Sequence, residues 1–342
     1  MKTTKYFLLL IGIFLSAYCL INFSSCDDAG TIPTNMTAGQ ISLNQANLKQ
    51  MDPNVDGVFQ LWIALDTASS REWYSAGRFN MTPSGGIIGT DGNAVVFNFS
   101  GDTNKLHLAA HALVTLEKDN DLVPSAYRIM SGPLTVYADS ITGTLTLAGG
   151  EALGNVGVVL GALLGPNDTN YAKGYYILNS PTTSNAECLR GLWFRDDQGN
   201  SMTPNLNLPG GSGWKYEAWL YNIQSQQYYS MGRFRNFNTA DEDGAGICAG
   251  PDPGYDVPGQ DWIVTNPPVC PAVSNLNNGT YRPFISLEPA NESGTALSQP
   301  FFLRLFDRES QIPNLLCGQR DPFFRSMTHD AKVPRATIRI FR

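Results

Sequence analysis

Between Gly57 and Phe79 the chain reads GVFQLWIALDTASSREWYSAGRF. Phe59, Leu61 and Ile63 alternate with Gln60 and Trp62, which is the two-residue period of a strand. A polar turn and a second strand ending in Gly-Arg-Phe follow. The same phrase returns at Gly213–Phe234 as GWKYEAWLYNIQSQQYYSMGRF. Trp219 answers Trp62, and Gly232-Arg233-Phe234 answers Gly77-Arg78-Phe79. A phrase used twice is an internal repeat, and it sets the expected architecture before any residue is given a role.

The repeat runs beyond the hairpin. Leu113-Val114-Thr115-Leu116-Glu117 matches Phe284-Ile285-Ser286-Leu287-Glu288. In each copy a polar stretch, a proline and another apolar strand come next: Pro124 with Tyr127 to Leu134, and Pro300 with Phe301 to Phe306. The second copy is longer between hairpin and Glu-bearing strand by about 16 residues, a long loop by ordinary standards. Further strands are predicted at Ala94 to Phe99, Leu106 to Leu116, Tyr175 to Leu178 and Gly191 to Phe194. Turns at Ser84-Gly85-Gly86, Asp91-Gly92-Asn93 and Gly101-Asp102 separate the early ones. Short strands at this spacing predict an all-β fold of two tandem antiparallel β-sandwich domains. The expected division is a signal peptide at 1–25, a polar tether at 26–39, a first domain at 40–180 and a second at 188–342. The Gly- and Ala-rich run Leu145 to Leu164 reads as buried structure, since Glu151 and the glycines argue against a membrane span.

Composition supports this picture. Aromatic residues make up 11% of the 342 residues, with 33 Gly and 21 Pro, which favours turn-rich β-structure. The net charge is -7, and removing the leader takes away Lys2 and Lys5 and no acid. With no basic block to offset this charge, a nucleic-acid partner is not expected.

Lys2 and Lys5 precede an apolar run from Tyr6 to Phe23, closed by Ser24-Ser25-Cys26, the order of an export signal. Phe23-Ser24-Ser25-Cys26 resembles a bacterial lipobox, with Phe23 where Leu is commoner. The resemblance implies lipidation at Cys26, and a lipid anchor to the outer membrane on its periplasmic face or at the cell surface. Asp27 and Asp28 follow directly. The alternative is an uncleaved apolar anchor. Four further cysteines lie in the second half: Cys188, Cys248, Cys270 and Cys317. An even number in an exported chain favours disulfides, and four cysteines allow three connectivities. The expected pairs are Cys248–Cys270, closing the long loop of the second copy, and Cys188–Cys317, tying the ends of the second domain. No Cys-x-x-Cys pair points to zinc.

The elements Tyr216-Glu217-Ala218-Trp219-Leu220, Gly232-Arg233-Phe234 and Ile285-Ser286-Leu287-Glu288-Pro289 together resemble the extracytoplasmic domain of anti-sigma-K factors, here in tandem, as in bacterial envelope lipoproteins. The first copy is looser, with Lys118 in the place of Pro289. The resemblance implies a fold. The cytoplasmic sigma-binding helices of that family have no counterpart here, so sigma-factor binding does not carry over.

Several residue patterns invite chemistry. Trp62 and Trp219 face away from the apolar side of their strands. They are the candidate binding residues, either stacking on a ligand such as a sugar ring or packing against a covering element. Glu117 and Glu288 occupy matching places. Two carboxylates across one bond would serve glycoside hydrolysis, whereas pairing with Arg78 and Arg233 would be structural. His107 and His111, four apart on a predicted strand, share a face, with no third ligand at a recognisable spacing. Asp241 and Asp243 before Gly244 have part of a calcium-loop pattern, but Thr239 and Gly250 occupy positions that an EF-hand reserves for acids. No catalytic residue, metal or cofactor is assigned. The expected function is that of a non-enzymatic envelope lipoprotein, a binding or structural module for an envelope protein or glycan. The alternatives are a carbohydrate-active enzyme and a regulator of envelope signalling.

Overall fold

A computed structural model of the chain describes residues 37–147, 173–179, 189, 191–194, 208, 213–239, 241–242, 275–291, 299–307, 311–317, 320–325 and 334–342. The expected signal peptide, Cys26 and most of the expected tether lie outside the described residues, as does nearly all of Leu145 to Leu164. Residues 38–342 form one compact unit. The described structure is mostly strand, and every strand pairing is antiparallel.

Among the described residues the first sheet has nine strands. In chain order they are β1 (Gln40–Ala46), β2 (Val58–Asp66), β3 (Arg71–Met81), β4 (Ile87–Ile88), β5 (Phe97–Asn98), β6 (Ala109–Glu117), β7 (Arg128–Val136), β8 (Ser140–Thr146) and, from the C-terminus, β16 (Arg335–Phe341). The second has seven: β9 (Lys173–Asn179), β10 (Gly191–Trp193), β11 (Trp214–Asn222), β12 (Gln227–Phe234), β13 (Tyr281–Pro289), β14 (Arg304–Asp307) and β15 (Arg320–Arg325). Their spatial orders are β4-β3-β2-β6-β7-β8-β16-β1-β5 and β10-β9-β15-β14-β13-β11-β12.

The C-terminal strand crosses between the two halves of the sequence. β16 belongs to the 188–342 segment, yet it sits between β8 and β1 of the first sheet, with Ile338 opposite both Gly143 and Leu43. Its alternation explains the fit. Ala336, Ile338 and Ile340 are buried, continuous with Ile41 and Leu43 on one side and Ile141 and Leu145 on the other. A strand with this period has one apolar face to hide, and the first sheet offers the matching row.

The two copies of the repeat are built alike. β2–β3 and β11–β12 are the two hairpins, and β6 and β13 flank them. Each hairpin has a bulge beside its tryptophan, between Leu61 and Trp62 in the first and between Glu217 and Trp219 in the second. The Gly of Gly-Arg-Phe lies at that bulge, with φ of 142° at Gly77 and 100° at Gly232. Only glycine adopts such angles without strain. The Phe then enters the core: Phe79 lies 5.4 Å from Phe59, and Phe234 lies 5.5 Å from Tyr216.

One apolar cluster runs through both sheets. Their contact is reciprocal. Phe59 at the start of the first hairpin meets Phe302 edge-on at 6.4 Å, and Trp214 at the start of the second meets Tyr127 edge-on at 6.1 Å. Each partner residue precedes the strand that follows the Glu-bearing strand of the other copy.

Two predicted strands are shorter than expected. Ala94 to Phe99 contributes only Phe97 and Asn98 to the sheet. Leu106 to Leu116 begins as a 3-10 helix, Thr103–Leu108, and the strand starts at Ala109. Asp102 causes the difference by accepting the Asn104 backbone N–H at 3.0 Å, a cap that closes a helical turn.

Candidate functional site

The tryptophans of the repeat face away from the main core cluster, as the alternation predicts, but they are not at the surface. Trp62 is 1% and Trp219 0% exposed. Each indole N–H donates to a hydroxyl on the neighbouring strand: Trp62 to Thr115 Oγ1 at 2.8 Å, and Trp219 to Ser286 Oγ at 2.8 Å. Each hydroxyl donates onward to a carboxylate, Thr115 to Glu117 Oε1 at 2.5 Å and Ser286 to Glu288 Oε1. Each carboxylate then accepts a backbone N–H from the next segment, Ser125 N at 2.9 Å in the first copy and Phe301 N at 2.9 Å in the second. The repeat therefore carries one Trp–hydroxyl–Glu–amide relay per copy. In this arrangement neither indole presents a ring to a ligand. The reading of Trp62 and Trp219 as binding residues gives way to a framework role, because buried indoles need a partner for their N–H and have found one.

The hydrogen bonds described for the two arginines run to backbone carbonyls. Arg78 donates to the Glu117 backbone carbonyl at 3.3 Å, and Arg233 donates to the Pro289 carbonyl at 2.6 Å. Arg233 forms its ion pair with Glu217, Nε to Oε2 at 3.3 Å, with both side chains buried. Glu117 and Glu288 belong to separate relays, each held by its own copy. Burial pushes the Glu288 carboxyl up to about 7, while the Ser286 hydroxyl, the Phe301 amide and the charge of Arg233 pull in the other direction.

An open site lies elsewhere, on the outer face of β7, β8, β16 and β1. A groove of about 570 Å³ is lined by Ser42, Asn44, Pro133, Thr135, Thr142, Gly143, Thr144, Thr337, Ile338 and Arg339. Cross-strand register sets its polar groups in two rows. One is Thr135, Thr142, Arg339, Ser42; the other is Thr144, Thr337, Asn44. Neighbours across such rows stand about 5 Å apart. The rows exist because these strands alternate strictly, with Ile141 and Leu145 inward between Thr142, Thr144 and Thr146 outward. Ser42, Asn44, Thr135, Thr144 and Thr337 are exposed, and Thr142 is half-buried. Arg339 lies over the Phe341 ring at 5.1 Å, and its nearest carboxylate is Asp139 at 3.7 Å, too far for a hydrogen bond. Its Nε is buried and has no hydrogen-bond acceptor.

The remaining expectations separate in space. His107 lies in the 3-10 helix and His111 on β6, so they do not share a strand face. Among the described residues no group of three or more His, Cys, Asp or Glu gathers where a metal would sit. Asp241 packs against the Gly232 bulge, and Asp243 lies outside the described residues. Cys317 is disulfide-bonded; Cys188, Cys248 and Cys270 lie outside the described residues. No described helix is long and apolar enough to cross a membrane.

Sequence reasoning missed the groove. The alternation in SITGTLT and RATIRIF was a usable signal, but their adjacency to QISLNQA depends on a pairing between the two ends of the chain. Compared with known proteins, the chain matches no family model, no curated protein and no solved structure.

Proposed function

We propose that this chain is an exported, lipid-anchored envelope protein that works by binding, and that its ligand surface is the groove across β7, β8, β16 and β1. The observation that carries this reading is the groove itself, a cleft of ligand size with hydroxyl, amide and guanidinium groups in register. The carboxylates that would serve hydrolysis, Glu117 and Glu288, are occupied by their own relays, which favours binding over catalysis. Lys2, Lys5, the apolar run and Ser24-Ser25-Cys26 support export and lipidation at Cys26. Each sheet is read as the centre of one β-sandwich domain, 40–180 and 188–342, with the C-terminal strand β16 returned to the first and β9 passed to the second. The proposed disulfides are Cys188–Cys317 and Cys248–Cys270.

The test is capture of native envelope material by the full chain purified in detergent, compared with the Thr142→Val, Thr337→Val double variant. The reading expects material that the wild type retains and the variant releases. Equal retention by both, or none by either, contradicts it. Mass spectrometry of the mature N-terminus should find a lipid-modified Cys26, and an intact Met1 would contradict the anchor.

A further inference from the structure

We infer that the groove binds a carboxylated polysaccharide, with Arg339 as the anion contact and the threonine rows as the sugar contact. The inference rests on the groove reading above and names the class of ligand.

The chemistry of the lining selects the class. Ser42, Asn44, Thr135, Thr142, Thr144 and Thr337 supply hydroxyl and amide groups that both donate and accept, apart from the acceptor-only and donor-only halves of the Asn amide. None of these side chains hydrogen-bonds to another described residue. Some hydroxyls elsewhere are engaged locally, as Thr67 is with Ser70 and Thr82 with Ser84. A lattice of unengaged donors and acceptors matches a ligand that carries both at every position, as a sugar chain does. Each threonine also offers a methyl group to sugar C–H faces. A peptide strand would instead seek backbone groups, and these four strands already spend theirs on one another.

Charge complementarity decides between neutral and acidic sugars. Arg339 stands in the middle of one row, flanked in register by Thr142 and Ser42. Its guanidinium lies over Phe341, and its ion pair with the exposed Asp139 is a loose one at 3.7 Å that a ligand carboxylate can replace. A planar guanidinium suits a carboxylate in paired geometry. β16 bears Arg335 as well, and Arg342 follows it, in a chain whose net charge is -7. Of these, Arg339 lines the groove, while Arg342 donates to the Tyr137 carbonyl at 2.8 Å. The acid beside Arg339, Asp139, is mostly exposed and belongs to the turn before β8.

The experiment is isothermal titration of the full chain in detergent with polygalacturonate, and with dextran as the neutral control. The expected result is binding to polygalacturonate that weakens with added salt, and none to dextran. Arg339→Gln is expected to weaken binding at least tenfold, and Arg339→Lys to restore part of it. Arg339 faces solvent in part, so the melting temperatures of both variants should stay near wild type and separate lost binding from lost fold. Equal affinity for dextran, or unchanged polygalacturonate binding by Arg339→Gln, overturns the inference. If native envelope material is captured through the threonines while polygalacturonate is ignored, the ligand class falls and the groove reading stands. If neither binds, both fall.

Discussion

The indole N–H of Trp219 donates to the hydroxyl of Ser286 across 2.8 Å, from β11 to β13. That bond places Ser286 where its own O–H donates to Glu288, and Glu288 in turn fixes the chain at Phe301. The first copy does the same with Trp62, Thr115, Glu117 and Ser125. A buried polar chain of this kind stabilises only while every member is paired.

Removing the middle of either relay should therefore be costly. Ser286→Ala leaves the Trp219 N–H without its acceptor and takes a donor from Glu288, both in the interior. Thr115→Val does the same around Trp62 with almost no change in volume. Each is expected to lower unfolding free energy by about 1–3 kcal/mol, measured by chemical denaturation. Thr142→Val, on the open groove, should change it by less than about 0.5 kcal/mol.

Stability should also depend on pH through Glu288. Its carboxyl is raised by burial from the usual 4.5 to about 7. The folded state then holds a proton that the unfolded chain releases above the lower value. The resulting contribution is fully present below about pH 4.5 and is lost as pH rises through about 7. Glu288→Gln should flatten the stability profile across that window, removing a slope worth on the order of 3 kcal/mol. An unchanged slope would show that another group sets it.

The bulge glycine makes a separate prediction. A Cβ at Gly232 would lie 2.5 Å from the Asp241 carboxyl carbon, at a φ of 100°. Gly232→Ala should destabilise by more than about 1 kcal/mol, and loss of the bulge should weaken the Trp219 bond beside it. Amide exchange along β12 would report both.

Contact between the sheets can be tested at Trp214. It is fully buried, edge-on to Tyr127 at 6.1 Å and 6.0 Å from Phe301. Trp214→Ala should cost about 3–5 kcal/mol, seen as a lower denaturation midpoint.

The hairpins were legible because their signals are local. Phe59, Leu61 and Ile63 against Gln60 and Trp62 give the facing of β2 directly, and Gly-Arg-Phe marks the bulge in both copies. The side on which Trp62 lies was readable; its burial was not, because burial depends on what covers the second face. His107 and His111 were misplaced because one capping aspartate, Asp102, outweighed apolar spacing. The groove was hidden for a topological reason. Ser42 and Arg339 face each other in register, yet they stand at opposite ends of the sequence, and no local pattern announces a pairing of that separation.

The most direct measurement compares two variants on one probe, retention of the full chain on immobilised polygalacturonate. Trp219→Phe keeps an aromatic ring but loses the relay bond and some buried volume, whereas Arg339→Gln leaves the relay intact and removes the charge from the groove. The repeat as framework and the groove as binding site together predict that folded Trp219→Phe is retained like the wild type, and that Arg339→Gln elutes at least tenfold more readily. Retention of Arg339→Gln alongside loss of a still-folded Trp219→Phe would contradict the account.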